Sequence, residues 1–153
     1  MNNQLLLKGF EVELFTGSIN GEHIGISSDL IAELSDFVME PDLRNIEYIT
    51  PPSSDYSLLK ELLTLPRLSL RKCLKDKGLT IIPGSTLSLG NSSQFQRSDL
   101  QNPYHQFIES TYGSNVVTSS IHINLGIEKK SDLFAAIRLV RCEASLLLAL
   151  SAS

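Results

Sequence analysis

The stretch Lys8-Gly9-Phe10-Glu11-Val12-Glu13-Leu14-Phe15 alternates apolar and polar side chains. As a β-strand it points Phe10, Val12 and Leu14 one way and Glu11, Glu13 and Phe15 the other. Two carboxylates on one side of a strand stand about 7 Å apart, two residues of rise. They repel each other unless solvent, a proton or a cation lies between them. Nothing in folding calls for such a pair in an otherwise apolar strand, so it is the first pointer to function. The rest of the chain is read for partners that the fold could bring to it.

After this strand, Asn20-Gly21 reads as a hairpin turn of type I′ with a return strand over 22–26, and Ser27 or Ser28 as the cap of a short helix from Asp29 to Leu34. Residues 36–49 read as two short strands joined at Pro41-Asp42. In the second, Ile46 and Tyr48 share one face, while Asn45 and Glu47 share the other with Ile49. Glu47 repeats the motif of the first strand, a carboxylate between apolar neighbours. Ser53-Ser54-Asp55 offers caps for a leucine-striped helix from Tyr56 to Lys77, which Pro66 should kink or split and Gly78 should stop. A short strand over 79–82 leads into a long polar loop, 83–101, of a length that is often functional. The Gly-Lys-Ser/Thr ending of a phosphate-binding P-loop is missing from it. Asn102-Pro103 opens a helix that Gly113 closes. Residues 115–126 read as one strand, with Ile121, Ile123 and Leu125 toward the core and Ser120, His122 and Asn124 opposite. Ser131-Asp132 then caps a last helix from Leu133 to about Leu150. That helix carries Arg138, Arg141 and Glu143, too charged and too short for a membrane span.

The chain of 153 residues is long enough for one domain with a real core, and 42% hydrophobic with 20% charged residues is ordinary for a globular protein. A net charge of −4 argues against nucleic acid as a partner, and Arg67, Arg71, Lys72, Lys75 and Lys77, gathered near the end of the leucine-striped helix, read as helix-dipole and solubility charges. Cys73 and Cys142 lie far apart in helical patterns and fit neither a metal spacing nor a disulfide framework, which makes a reducing cytoplasm the expected compartment. The start Met1-Asn2-Asn3-Gln4 has no basic n-region or cleavage site of a secretory signal.

Three strands thus carry Glu11, Glu13, Glu47 and His122 opposite their core-facing side chains. Brought into one sheet, the four can share a face. Carboxylates with one imidazole suit hard cations such as Mg²⁺ or Mn²⁺ rather than Zn²⁺. The same pattern also fits a half-solvated antiparallel sheet whose outer face is polar by default. Arg44 and Arg97 stand in turn or loop contexts, where a guanidinium can grip a carboxylate or phosphate or simply face solvent. Glu143 falls on the apolar side of its helix, where a salt bridge is the expected partner.

Five stretches carry a family resemblance: 8–15 above, Glu-Pro-Asp-Leu-Arg-Asn-Ile-Glu-Tyr-Ile-Thr-Pro-Pro at 40–52, Ile-Pro-Gly-Ser-Thr-Leu-Ser-Leu-Gly at 82–90, Asn-Pro-Tyr-His at 102–105 and Ser-Ile-His-Ile-Asn-Leu-Gly-Ile at 120–127. In this order they resemble glutamate–cysteine ligase of the cyanobacterial and plant-related branch, within the carboxylate–amine ligases. The resemblance implies an α+β fold, an antiparallel sheet backed by helices as in the glutamine synthetase catalytic domain, with these 153 residues as the N-terminal part of one such domain. It implies ATP- and Mg²⁺-dependent (or Mn²⁺-dependent) synthesis of γ-glutamylcysteine, the first step of glutathione formation. Glutamate, cysteine and ATP would be the partners, with neither nucleic acid nor membrane among them.

On the same resemblance, the family's metal-binding acid pair corresponds to Glu11 and Glu13, its later sheet carboxylate to Glu47 and its metal-site histidine to His122. A further acid corresponds to Glu40 or Asp42. Arg97, in the loop 83–101, is the candidate catalytic contact to substrate. The family continues past the last residue here, so the expected chain is inactive alone, with the missing second half or self-association covering its open face. A related ligase with another amine acceptor, or a non-catalytic assembly piece, are the alternatives.

Overall fold

The computed structural model describes residues 6–151. Strand β1 (Leu7–Ser18) is the axis of a five-stranded antiparallel sheet. One of its edges pairs with β3 (Asn45–Ile49), which in turn pairs with β2 (Phe37–Met39). Its other edge is shared: β4 (Leu79–Ile82) takes residues 15–18, and β7 (Ile121–Gly126) takes residues 7–12. A separate two-stranded ladder joins β5 (Thr86–Ser88) to β6 (Val116–Thr118). The helices are α1 (Ser27–Glu33), α2 (Tyr56–Asp76), α3 (Pro103–Tyr112), α4 (Lys130–Cys142) and α5 (Ala144–Ser151). This is the α+β architecture of an antiparallel sheet backed by helices.

The main core lies on the face of Val12 and Leu14. Ile46, Tyr48 and Phe37 continue it along the sheet, and Leu30 of α1 with Leu70, Cys73 and Leu74 of α2 cover it. Asp55 caps α2 by accepting from the amides of Ser57 and Leu58, and Gly78 follows its C-terminus at φ +72°. On the opposite face, Phe15, Ile82, Leu89 and Val117 form a smaller cluster beside the carboxylates. That cluster is why Phe15 can share a side with Glu11 and Glu13.

Several expectations are corrected. The turn after β1 has positive φ only at Gly21, so it is not type I′, and residues 22–26 form no strand. Only Gly17 bridges His23, because the Thr16 amide already donates to the carbonyl of Arg44 on the β3 side. Gly17 is required there, since a Cβ would stand 2.7 Å from Cγ1 of Ile82. Pro66 does not split α2, which runs unbroken through it. The neighbouring carbonyl of Leu63 accepts a hydrogen bond from the Tyr48 hydroxyl at 2.9 Å, which ties this turn to the sheet. The loop 83–101 is not featureless: it holds β5 and a 3₁₀ turn over Ser92–Gln94, and it buries Leu89. The strand expected over 115–126 breaks at Ser119-Ser120 into β6 and β7, which join different ladders.

Ile121 and Ile123 do lie on the face of Val12 and Phe10, their register partners, but they are 57% and 62% exposed because no described element covers that end of the sheet. The last helix begins at Lys130 without a side-chain cap and is interrupted at Glu143, whose φ of −93° and ψ of 5° open the helical ladder. Glu143 makes no ion pair among the described residues. Among the described residues no helix is long and apolar enough to cross a membrane.

One buried ion pair fastens the connection between β2 and β3. Asp42 accepts from the Arg44 amide at 2.9 Å, from its Nε at 2.7 Å and from its Nη2 at 2.6 Å, and from the Gln96 amide at 2.9 Å. Arg44 also donates to the carbonyl of Gln94 at 3.0 Å. Every oxygen of Asp42 is therefore engaged, and the pair locks residues 94–98 onto residues 40–44. Removing one member leaves a buried charge without compensation, which costs about 3–5 kcal/mol. Asp42→Ala is therefore expected to lower the stability read from urea unfolding by about that amount.

Candidate metal centre

Antiparallel pairing places directly opposed residues on the same face of a sheet. In the register of β1 with β3, Glu13 faces Glu47, and in the register of β1 with β7, Glu11 faces His122. The four residues singled out from strand parity therefore share one face. Their donor atoms form two overlapping groups. One oxygen or nitrogen from each of Glu11, Glu47 and His122 lies within 4.8 Å of the others, and the same holds for Glu13, Glu40 and Glu47. Glu47 is common to both and is nearly buried, at 8% exposure.

Of the two further acids, Glu40 is the one whose carboxylate lies with Glu13 and Glu47. Asp42 is turned away into Arg44, and Arg44 is consumed by that pair rather than being free to grip a substrate. Glu40 reaches the cluster because the loop after β5 holds its backbone: the Ser98 hydroxyl donates to the Glu40 carbonyl, and the Ser98 amide donates to that of Pro41 at 3.0 Å.

Polar neighbours orient Glu11 and Glu13. Glu13 accepts from the Ser120 amide at 2.9 Å, the Ser120 hydroxyl at 3.0 Å and the Asn45 side-chain amide at 3.3 Å. Glu11 accepts from Asn124 Nδ2 at 2.9 Å and lies 3.0 Å from His122 Nδ1. These hydrogen bonds, that from His122 first, hold the Glu11 carboxyl below its usual range. The bond to Glu11 in turn raises the His122 imidazole above its usual value. Glu40 and Glu47 shift the other way. Burial, then the charges of Glu13 and Glu47, push Glu40 up to about 7. Burial, then the charges of Glu11 and Glu13, raise Glu47.

Ser120, Asn45 and Asn124 were placed on this face by parity, but their grip on the acids depends on register and could not be read from the chain. No pattern in the sequence marks the wall opposite. A cleft of about 460 Å³ runs from Glu13, Glu40 and His122 to Tyr104, Ile108 and Tyr112 of α3. Arg97 stands apart from these acids: its side chain is half-exposed and pairs with Glu109 at 2.5 Å, on a neighbouring depression that it lines with Ser92 and Gln106. Glu109 itself reaches the cleft, so Arg97 is one side chain removed from it.

The donor set fits a hard divalent cation. It is all carboxylate oxygen save one imidazole, and burial together with the neighbouring acids drives Glu40 and Glu47 toward the neutral form. A cation between them would remove that repulsion.

Comparison with known proteins agrees on the fold. A crystal structure of a bifunctional glutathione synthetase from Pasteurella multocida superposes with a TM-score of 0.61 at 19% identity, over 85% of this chain. The chain spans 18% of the length of that protein. No curated protein sequence matches. The model of the glutamate–cysteine ligase family 2 (GCS2) matches residues 7–153, and the chain belongs to that family.

The ionisations predict a pH dependence. An acid whose pKa is raised on folding contributes stability that is present below its unfolded pKa and lost as pH rises through the folded one. A histidine raised on folding likewise stabilises below its unfolded value and loses that contribution as pH rises. Glu40, Glu47 and His122 therefore act in the same direction. Burial lowers His23 and His105, which act the other way but are outweighed by the large shift of Glu40, so in chelator the thermal midpoint should fall as pH rises from 4.5 through about 7. Glu40→Gln should flatten much of that slope, and millimolar Mg²⁺ should reverse the fall at pH 8. A midpoint indifferent to pH and Mg²⁺ would contradict the cluster's electrostatics.

Proposed function

We propose that this chain forms the cation-holding part of a glutamate–cysteine ligase catalytic domain, acting on glutamate, cysteine and ATP. The observation that carries the reading is the pair of donor groups sharing Glu47 on one sheet face. Family membership supports the same chemistry, and the fold supports the same sheet. In this reading residues 7–153 are the first part of a single domain, and the nucleotide contacts come from polypeptide beyond them.

The reaction transfers the γ-phosphoryl group of ATP to the γ-carboxylate of glutamate. The amine of cysteine then attacks the acyl phosphate, and inorganic phosphate leaves. Side chains have little covalent work to do in such a sequence, and positioning and charge stabilisation dominate. Bound Mg²⁺ or Mn²⁺ would supply neutralisation of the phosphate oxygens. Glu11, Glu47 and His122 would hold one ion, and Glu13, Glu40 and Glu47 the other. Ser120, Asn45 and Asn124 keep Glu11 and Glu13 aimed across the sheet face. Tyr104 and Tyr112 of α3 line the cleft on its far side. Arg97 would approach a substrate carboxylate or phosphate only on leaving Glu109, which makes it a contact of the loaded site rather than of the free one.

The test has two arms. Mn²⁺ titration followed by electron paramagnetic resonance should show binding to this chain, weakened at least tenfold by Glu47→Gln, which removes the ligand common to both groups. Absence of Mn²⁺ binding, or binding that ignores Glu47, would sink the metal assignment. An assay for γ-glutamylcysteine should then give product only when the chain is joined to or mixed with the remainder of the domain. Cysteine should be preferred over other amines, and an equal or better rate with another amine would move the assignment to a related carboxylate–amine ligase.

A further inference from the structure

Ser120 sits at the break between β6 and β7, where its hydroxyl meets two side chains at once. Its Oγ lies 3.0 Å from Glu13 Oε1 and 3.0 Å from His122 Nε2. Its backbone is fixed from both sides of the same contact, since the Glu13 amide donates to the Ser120 carbonyl at 3.0 Å and the Ser120 amide donates to Glu13 Oε2 at 2.9 Å. The residue therefore has little freedom to turn its hydroxyl elsewhere.

A hydroxyl has one proton to give, and an ionised carboxylate can only accept. The proton of Ser120 therefore goes to Glu13, and Oγ must accept from His122. Nε2 therefore carries a hydrogen. In the ion-free chain Nδ1 carries one as well and donates it to Glu11 at 3.0 Å, and with Nε2 engaged by Ser120 it is Nδ1 that is left to ligate an ion. Metal-binding histidines ordinarily donate their second ring N–H to a fixed partner, which sets both tautomer and ring orientation.

We propose that Ser120 is a positioning residue that joins the two donor groups into one site: it holds Glu13 for one ion and, by accepting from Nε2, presents His122 Nδ1 to the other. This rests on the metal reading above and adds to it a specific ligating atom and a mechanical link. Among the described residues no hydrogen bond joins Glu13 to His122 directly. Ser120 is the hydrogen-bonded bridge between the group built on Glu13 and the group built on His122.

The experiment is Mn²⁺ titration of the purified chain, read by electron paramagnetic resonance. Ser120→Ala is expected to weaken Mn²⁺ binding on the order of 10-fold, the usual effect of losing such an outer partner. Ser120→Thr, which keeps the hydroxyl, should stay within about twofold of the unmodified chain. Ser120→Cys keeps the volume with only a weak donor and should show the alanine loss, which separates the hydroxyl's role from packing. On a Glu13→Gln, His122→Gln background, Ser120→Ala should add almost nothing, because the residues it acts through are gone. Unchanged affinity in both Ser120→Ala and Ser120→Cys overturns the proposal while leaving the metal reading intact. An equal further loss on the double-variant background also overturns it, since Ser120 would then be a ligand or a purely structural residue. Failure of the unmodified chain to bind Mn²⁺ overturns both readings together.

Discussion

The register of β1 is the constraint on which the rest depends. Its twelve residues pair with β3 along one edge and with β4 and β7 along the other. A slip of one residue against either side would send Glu11 and Glu13 into the leucine-rich core and bring Val12 and Leu14 out into water. Burial of the apolar face therefore holds the acids in place. The hydrophobic contacts of Val12 and Leu14 with α1 and α2 set the positions of carboxylates on the reverse of the same strand. The small cluster around Phe15, Ile82 and Val117 performs the same service on the acid side, closing that face at one end so that the carboxylates are not simply part of an open polar surface.

Held there, the acids are in tension. Two of the five site residues, Glu40 and Glu47, are driven toward the neutral form by burial and by their neighbours, while Glu11 is kept ionised by His122 and Asn124. The site thus combines carboxylates stabilised as anions with carboxylates destabilised as anions, a few ångströms apart. A polar surface shaped only by solvent would let these side chains spread. Here the sheet, the loop held by Ser98 and the Asp42–Arg44 pair keep them close.

Much of this was legible in the chain. Alternation in residues 8–15 and 45–49 gave the strands and their faces, and the Asp55 and Asn102 caps gave the starts of α2 and α3. Parity was enough to put Glu11, Glu13, Glu47 and His122 on one side, because side-chain direction in a strand is a local property. What could not be read were the features set by partners distant in sequence. The choice between Glu40 and Asp42 turns on Arg44 and on the amide of Gln96, neither of which any period in the sequence marks. The loop 83–101 did carry a signal, since Thr86-Leu87-Ser88-Leu89 alternates, but three residues of strand are too few to stand out among serines. The break at Ser119-Ser120 escapes a pattern reading because both halves keep the same alternation while pairing with different strands.

The shared edge of β1 also sets an order of assembly. Glu13 and Asn45 are 32 residues apart, so the β1–β3 half of the sheet closes a short loop that already contains α1. The contacts that complete the site span far more chain: 107 residues from Ser120 to Glu13, and 111 from His122 to Glu11. Pairings of such separation form late, because the entropy of closing the intervening chain must be overcome before any contact rewards it. On a ribosome, β1 to β4 and their core can consolidate while β7 is still unmade. During that interval Glu11 and Glu13 stand at a strand edge with no imidazole and no serine beside them. The folding chain thus passes through a stage in which its structural half is finished and its chemical half is absent, and His122 is delivered to an already rigid surface.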